Sequence, residues 1–235
     1  MKKLHYLSLA SLFTIALFAY ISVSLMALQH LLVIIPGSYF LYRAIKNKDF
    51  KLSASSWCLV ALIAIAIISN LLNWNLLQNG HAYHFFKLKY FLIALLGIFA
   101  YQALAQSEIL TPGRIKLLLK ILLVSTTLAG LSGLIAYKWG FNPLKMKAGC
   151  HPDRTCGMFG MYMTYAYSTQ FFILLVIGLI FKMKNKVFPP FLLWAILLIN
   201  SLGFFLSFAR GPLVGLLAAL PFFWARKSAK VFTLV

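Results

Sequence analysis

Two arginines in this chain lie within stretches of turn-forming residues and not simply at the end of an apolar segment. Arg154 lies in the stretch "RTCGMFG" and Arg210 lies in "SFARGP". A guanidinium binds planar anionic groups through two parallel hydrogen bonds and stays charged at any working pH. The pattern predicts that both arginines bind the same diphosphate group, and that this diphosphate belongs to a lipid. The alternative is that each arginine reaches the membrane interface separately and contacts ordinary phospholipid.

Residues near each arginine could support the same anion. The supporting candidates are Gly157, Gly160, Gly211, Lys145, Lys147 and His151. Glycine lets backbone N–H groups approach a phosphate closely, and the N-terminus of a following helix attracts negative charge. In "SFARGP" we expect Gly211 to form a tight turn and Pro212 to lie in the first turn of a helix. The lysines alternatively serve as interfacial anchors, and His151 is either a proton acceptor or an ordinary loop residue.

Two cysteines flank the loop that carries Arg154. Cys150 and Cys156 enclose five residues, and a disulfide between them would hold that loop rigid. Free thiols are the alternative. The cysteine spacing does not match that of zinc sites, and the pair His81 and His84 has no acid nearby, so no metal is expected.

The composition places the candidate residues in a membrane protein. The chain has 235 residues, of which 62% are hydrophobic, against about 45–50% for an average soluble domain. It carries 22 Lys and Arg residues but only three acids, and the basic residues stand in short clusters between apolar runs. This arrangement favours membrane topology and contact with anionic lipids over nucleic-acid binding. We expect a single membrane domain over residues 1–235.

Apolar segments long enough to cross a bilayer recur along the chain. A crossing takes about 20 helical residues. On that measure the sequence predicts an all-α, polytopic bundle of about eight spans, at residues 5–21, 25–44, 57–73, 89–106, 115–137, 161–181, 189–207 and 211–226. The first apolar region is too long for one helix and is expected to break at 21–24. The N-terminal stretch resembles a signal peptide, but we interpret it as an uncleaved first span.

The basic residues also predict the orientation. With the N-terminus inside, the inner segments carry about twice as many Lys and Arg residues as the outer ones. Arg154 and Arg210 then lie on the outer side, at the ends of helices.

At the two arginine stretches the chain resembles the O-antigen ligase and polymerase family. "RTCGMFGMYMTYAYS" is similar to the family's Arg-x-x-Gly-x-Phe segment, and "LSFARGPLVGLLAALP" is similar to its Ser-x-Ser/Ala-Arg-Gly element. The resemblance covers about residues 80–226 and implies a lipid-carrier glycosyltransferase (GT-C) fold. It implies an O-antigen ligase that moves a glycan from undecaprenyl diphosphate to a lipid A-core acceptor at the periplasmic face of a bacterial inner membrane. It also implies that Arg210 binds the donor diphosphate, that Arg154 lines the same site, and that no cofactor is needed.

The resemblance also has a limit. Family members continue with a large periplasmic loop that bears an essential histidine, whereas this sequence stops at "KVFTLV". We therefore expect a chain truncated before that loop, with no catalytic residue assigned. The alternatives are an O-antigen polymerase, a protein O-oligosaccharyltransferase, a non-catalytic fragment and a small membrane transporter.

Overall fold

The protein is mostly helical, which confirms the all-α expectation. The computed structural model describes residues 1–22, 26–47, 54–72, 81–182 and 188–228. Within these ranges there are eight helices: α1 (Lys2–Phe18), α2 (Met26–Lys46), α3 (Ala54–Leu72), α4 (His81–Ala105), α5 (Pro112–Trp139), α6 (Tyr162–Lys182), α7 (Pro190–Phe205) and α8 (Arg210–Ser228). A short hairpin, β1 (Phe141–Asn142) and β2 (Lys147–Ala148), lies between α5 and α6. Each predicted span overlaps one helix.

Among the described residues, three helices are long and apolar enough to cross a membrane. They are the segment Leu88–Ala105 of α4, the whole of α5, and the segment Tyr162–Phe181 of α6. Shorter apolar segments lie in three other helices, at Leu59–Leu72, Pro190–Phe205 and Arg210–Pro221. The described part of the chain therefore contains three candidate membrane spans, and the count of eight crossings stays a prediction.

The ends of the helices follow from local sequence. Helix α1 ends at Phe18 and α2 begins at Met26, on either side of the predicted break. Helix α5 ends where Gly140 takes a positive φ of 70° and its N–H bonds the Ala136 carbonyl at 2.8 Å. Glycine is favoured at this position because it has no Cβ to oppose the left-handed backbone. Pro190 begins α7, where its missing N–H removes no helical hydrogen bond.

The chain forms two compact units. The first comprises Met1–Thr14 and Ala27–Pro112, and the second comprises Ile15–Met26 and Gly113–Val235. In the first unit Gly37 lets α2 approach α4, because a Cβ there would lie 2.5 Å from the Leu96 carbonyl oxygen. Small residues at helix contacts allow such close backbone packing. The single membrane domain stays a prediction.

The core of the second unit is built around α6. Tyr165, Phe172 and Val176 are buried on one face of α6, where they belong to the same apolar cluster as residues of α7. The Tyr20 hydroxyl donates to the Ser168 carbonyl at 2.7 Å, which ties the segment after α1 to this core. Helix α6 also packs against α8. The loop between α5 and α6 lies at one end of this packing.

Candidate functional site

The loop from residue 140 to 161 is ordered by its small hairpin. Strands β1 and β2 are antiparallel, with Phe141 opposite Ala148 and Asn142 opposite Lys147. Met146 takes a positive φ of 53° in the turn between them. The Gly149 N–H bonds the Gly140 carbonyl at 2.8 Å and closes the base of the hairpin.

Asn142 is the buried polar residue that holds this loop together. Its Oδ1 accepts hydrogen bonds from the Ser132 hydroxyl at 2.5 Å and from the Lys145 N–H at 3.1 Å. Its Nδ2 donates to the Gly157 carbonyl at 2.9 Å. A single amide thus joins α5, the hairpin turn and the segment after Arg154. A buried amide with three partners is well satisfied, and loss of any partner would cost stability.

The segment that carries Arg154 is bonded to the end of α7. The Thr155 N–H donates to the Leu206 carbonyl at 3.1 Å, and the Thr155 hydroxyl donates to the Gly203 carbonyl at 2.5 Å. Leu206 precedes Arg210 by only four residues. The structure therefore places the backbones of both arginine stretches at the same end of the second unit.

Arg210 is the first residue of α8 and its side chain is exposed. The preceding turn is held by the buried Ser207, whose hydroxyl donates to the Phe204 carbonyl at 2.6 Å. This position agrees with the prediction of an arginine at a helix N-terminus. The local reason differs from the predicted one, because the positive φ of the turn, 53°, belongs to Phe208 and not to Gly211.

Gly211 lies inside the first turn of α8, so its predicted role in the turn is wrong. A Cβ at Gly211 would lie 2.6 Å from the Tyr167 hydroxyl oxygen. Gly211 therefore faces the end of the Tyr167 side chain on α6, which is a structural contact between the two helices.

A cavity of about 180 Å³ opens beside the hairpin. Its wall contains three cationic side chains, Lys145, Lys147 and Arg154, and among the described residues that line it none is an aspartate or glutamate. We call this cavity the cationic pocket. It also contacts the predicted candidates Cys150, Cys156, Gly157 and Gly160. Arg210, Gly211 and His151 do not line it.

Arg154 is oriented by an aromatic ring. Its guanidinium carbon lies 4.3 Å from the centre of the Tyr162 ring, within the range of a cation–π contact. The His151 ring meets the same tyrosine edge-on at 6.1 Å. The His151 Nδ1 accepts the Asp153 N–H at 3.1 Å, so the neutral imidazole carries its proton on Nε2. Tyr162 opens α6 directly after the glycine-rich stretch.

The described residues that line the cationic pocket include no acidic side chain to balance its positive charge. Burial lowers the pKa of Lys145, and the nearby Lys147 ammonium lowers it further. Both effects disfavour the charged amine. An anion in the pocket would relieve the repulsion between the two lysines, so the pocket favours a negatively charged ligand.

The two glycines after Arg154 have different roles. Gly157 is buried with a positive φ of 53°, and a Cβ there would lie 2.6 Å from the Tyr165 ring. Its glycine identity is therefore required by packing as well as by the turn. Gly160 is exposed, with open space where a Cβ would be. Of these two glycines, only Gly160 has open space beside it. The predicted close approach of a phosphate to the backbone therefore fits Gly160 and not Gly157.

Cys150 and Cys156 are paired as a disulfide, with their Cα atoms 6.2 Å apart. This separation lies within the range of about 4.4–6.8 Å that the bond spans. The disulfide connects the end of the hairpin to the segment that Asn142 and Thr155 hold. It therefore closes the wall of the cationic pocket.

The structure also shows which signals were missed in the sequence. Asn142 stands before Pro143, and an Asn-Pro pair is a turn signal that could have identified it. Thr155 gives no comparable signal, because its two partners lie about 50 positions away in the chain. His81 begins α4, but its side chain and that of His84 lie outside the described residues.

Comparison with family models, curated proteins and solved structures finds no match for this chain.

Proposed function

We propose that this protein is an O-antigen ligase-like glycosyltransferase that binds the diphosphate of undecaprenyl diphosphate in the cationic pocket. The observation that carries the proposal is the cluster of Lys145, Lys147 and Arg154 around one cavity at the end of a helical unit that contains two candidate membrane spans. A diphosphate on a polyprenyl lipid has its charge at the headgroup level and its tail in the bilayer. Such a ligand matches a cationic pocket at the end of apolar helices.

The size of the pocket restricts which part of the donor it holds. Pockets for complete small molecules measure about 300–1,000 Å³, whereas this one measures about 180 Å³. It can therefore take a phosphate-sized group but not a glycan. The glycan would lie outside the pocket, and the polyprenyl tail would follow exposed apolar side chains of the second unit, such as Phe171 and Leu198.

The roles of the residues follow from their positions. Arg154, stacked on Tyr162, would bind one phosphate together with Lys145 and Lys147. Arg210 would reach the second phosphate from the first turn of α8, since Leu206, four residues before it, bonds to the Arg154 segment. The acceptor in this proposal is a lipid A-core, no cofactor takes part, and the catalytic base is unassigned. The proposal includes eight crossings, a GT-C fold and an outward-facing site at the bacterial inner membrane.

The first test measures donor binding. Purified protein in detergent micelles is titrated with undecaprenyl diphosphate, and the bound lipid is counted by native mass spectrometry. Because a hydrogen bond to a charged group contributes about 1.5–3 kcal/mol, Arg154→Gln and Arg210→Gln should each weaken binding by about tenfold or more.

Lys138→Gln is the matched control. Lys138 is an exposed cation at the end of α5, it lies over the Trp139 ring, and it does not line the cationic pocket. Donor affinity should be unchanged in this variant. Equal affinity in the wild type and in both arginine variants would refute the proposed donor site. Unchanged glycan display in cells with Arg210→Ala, at normal membrane insertion, would refute the transferase.

A further inference from the structure

A second and larger cavity lies in the first unit and shares no residue with the cationic pocket. It measures about 450 Å³ and opens between the start of α1, the end of α2 and the end of α4. The candidate span of α4 ends at Ala105, within the part of α4 that lines this cavity. The cavity therefore lies at one end of a candidate membrane span, where lipid headgroups would be found if the span crosses a bilayer.

The floor of this cavity is apolar. Phe40 and Phe99 are buried, with 7% and 5% of their surfaces exposed. The His5 ring packs against Phe40 with the ring centres 4.9 Å apart. Such a floor can hold the glycerol or upper acyl part of a lipid, which a free inorganic ion does not need.

The rim of the cavity is polar and includes the guanidinium of Arg43. Arg43 lines it from the last turn of α2, and one guanidinium nitrogen donates to the Met1 thioether sulfur at 2.8 Å. A thioether is a weak acceptor, so this contact does not neutralise the guanidinium. Within the described part of the chain, no aspartate or glutamate lines this cavity.

The other rim groups can both donate and accept hydrogen bonds. Three amide side chains line the cavity: Asn47, Gln102 and Gln106. His5 also lines it, and the buried Nδ1 of His5 has no hydrogen-bond partner among the described residues. A buried polar atom without a partner is costly unless a ligand or water satisfies it.

These features together define one class of ligand. A guanidinium matches the anionic oxygens of a phosphodiester, and amides match hydroxyl groups, which also donate and accept. The volume falls within the range of about 300–1,000 Å³ for small-molecule sites. We propose that the cavity between α1, α2 and α4 binds the headgroup of an anionic phospholipid, with Arg43 on the phosphate and the amides of Asn47, Gln102 and Gln106 on the headgroup hydroxyls.

The test compares lipid retention in matched variants. The full chain is purified in micelles that contain equal amounts of phosphatidylglycerol and phosphatidylcholine, and retained lipid is counted by native mass spectrometry. The wild type should keep one phosphatidylglycerol that Arg43→Gln loses, with affinity reduced about tenfold or more. Lys46→Gln removes the same charge from the same helical turn without touching the cavity, and should behave as the wild type.

Additional arms distinguish the sources of the phosphate and guard against misfolding. Millimolar glycerol 3-phosphate should not displace the retained lipid, and displacement would overturn the assignment to a lipid headgroup. Equal retention in the wild type and in Arg43→Gln would overturn the site.

If circular dichroism shows that Arg43→Gln is misfolded, Gln106→Leu replaces it, because Gln106 is an exposed rim residue. Unchanged retention in Gln106→Leu would then count against the proposal.

Discussion

Lys145 shows how a single side chain reports on the charge of the cationic pocket. Its pKa is lowered first by burial and then by Lys147, so its ammonium is less stable than that of a solvated lysine. A bound anion would act in the opposite direction and raise the pKa of Lys145 again. Binding of an anion must then take up protons whenever Lys145 is partly deprotonated.

We predict that Lys145→Arg makes anion binding less sensitive to pH. In the wild type, affinity for sulfate should fall as the pH rises towards the lowered pKa of Lys145, because the neutral amine no longer attracts the anion. The arginine stays protonated, so at high pH the variant should bind sulfate more tightly than the wild type. Sulfate keeps its charge between pH 7 and pH 10, and its binding is measured by calorimetry in micelles.

The control for this prediction is Lys138→Arg, which makes the same change outside the cationic pocket. Its pH profile should match that of the wild type. Identical profiles for the wild type and Lys145→Arg would show that Lys145 does not contact the anion.

At the scale of elements, the position of Arg154 depends on the contact between its loop and the end of α7. Thr155 makes both bonds, one from its backbone and one from its hydroxyl. The hairpin and the disulfide fix the other side of the loop. The loop is therefore held at three places, and each holds one part of the pocket wall.

We predict that Thr155→Val loosens this loop without changing its size. Valine has nearly the same shape but cannot donate to the Gly203 carbonyl, which loses its hydroxyl partner. The protein should lose about 1–3 kcal/mol of stability, and donor binding should weaken because Arg154 is less well positioned. Thermal unfolding followed by circular dichroism and the donor titration measure the two effects.

Thr164→Val makes the same substitution at an exposed site on α6 and should alter neither property. A Thr155→Val variant with the stability and the donor affinity of the wild type would show that the hydroxyl bond does not position the loop.

At the scale of the whole molecule, the distribution of basic residues predicts how the chain is oriented in a membrane. The clusters around Arg43 and Lys46 belong to the predicted inner side, and the loop with Lys145 and Arg154 to the predicted outer side. Three candidate spans are consistent with a membrane protein, but length and composition do not specify a direction. Orientation needs a direct measurement.

We predict that residue 146 is reached from the periplasmic side of the membrane and residue 46 from the cytoplasmic side. Met146→Cys and Lys46→Cys are introduced separately into a background in which Cys58, Cys150 and Cys156 are replaced by serine. Both positions are exposed. A membrane-impermeant maleimide should label Met146→Cys in intact cells and Lys46→Cys only after permeabilisation. Labelling of both positions in intact cells, or the reverse pattern, would contradict the predicted orientation.

Much of the helical architecture was predictable because helix formation depends on neighbouring residues. Long apolar segments predicted eight helices, and the Arg-Gly-Pro stretch predicted that a helix begins near Arg210, as α8 does. Gly157 was expected to admit a phosphate, but packing against Tyr165 is what requires it. The role of Gly211 was misassigned because a glycine looks the same in a sequence whether it serves a turn or a helix contact.

The sequence by itself determined the class of the protein, the helices and the excess of positive charge, because these depend on composition and on contacts within a few residues. Only the tertiary structure decided that Thr155 bonds to the end of α7, that Asn142 joins three segments, and that Lys145, Lys147 and Arg154 face one cavity. The physical reason is that Thr155 meets partners about 50 residues away, and Arg43 shares a cavity with Gln102 across a similar distance. Such meetings depend on how helices pack against one another, and no periodicity within a single segment records that packing.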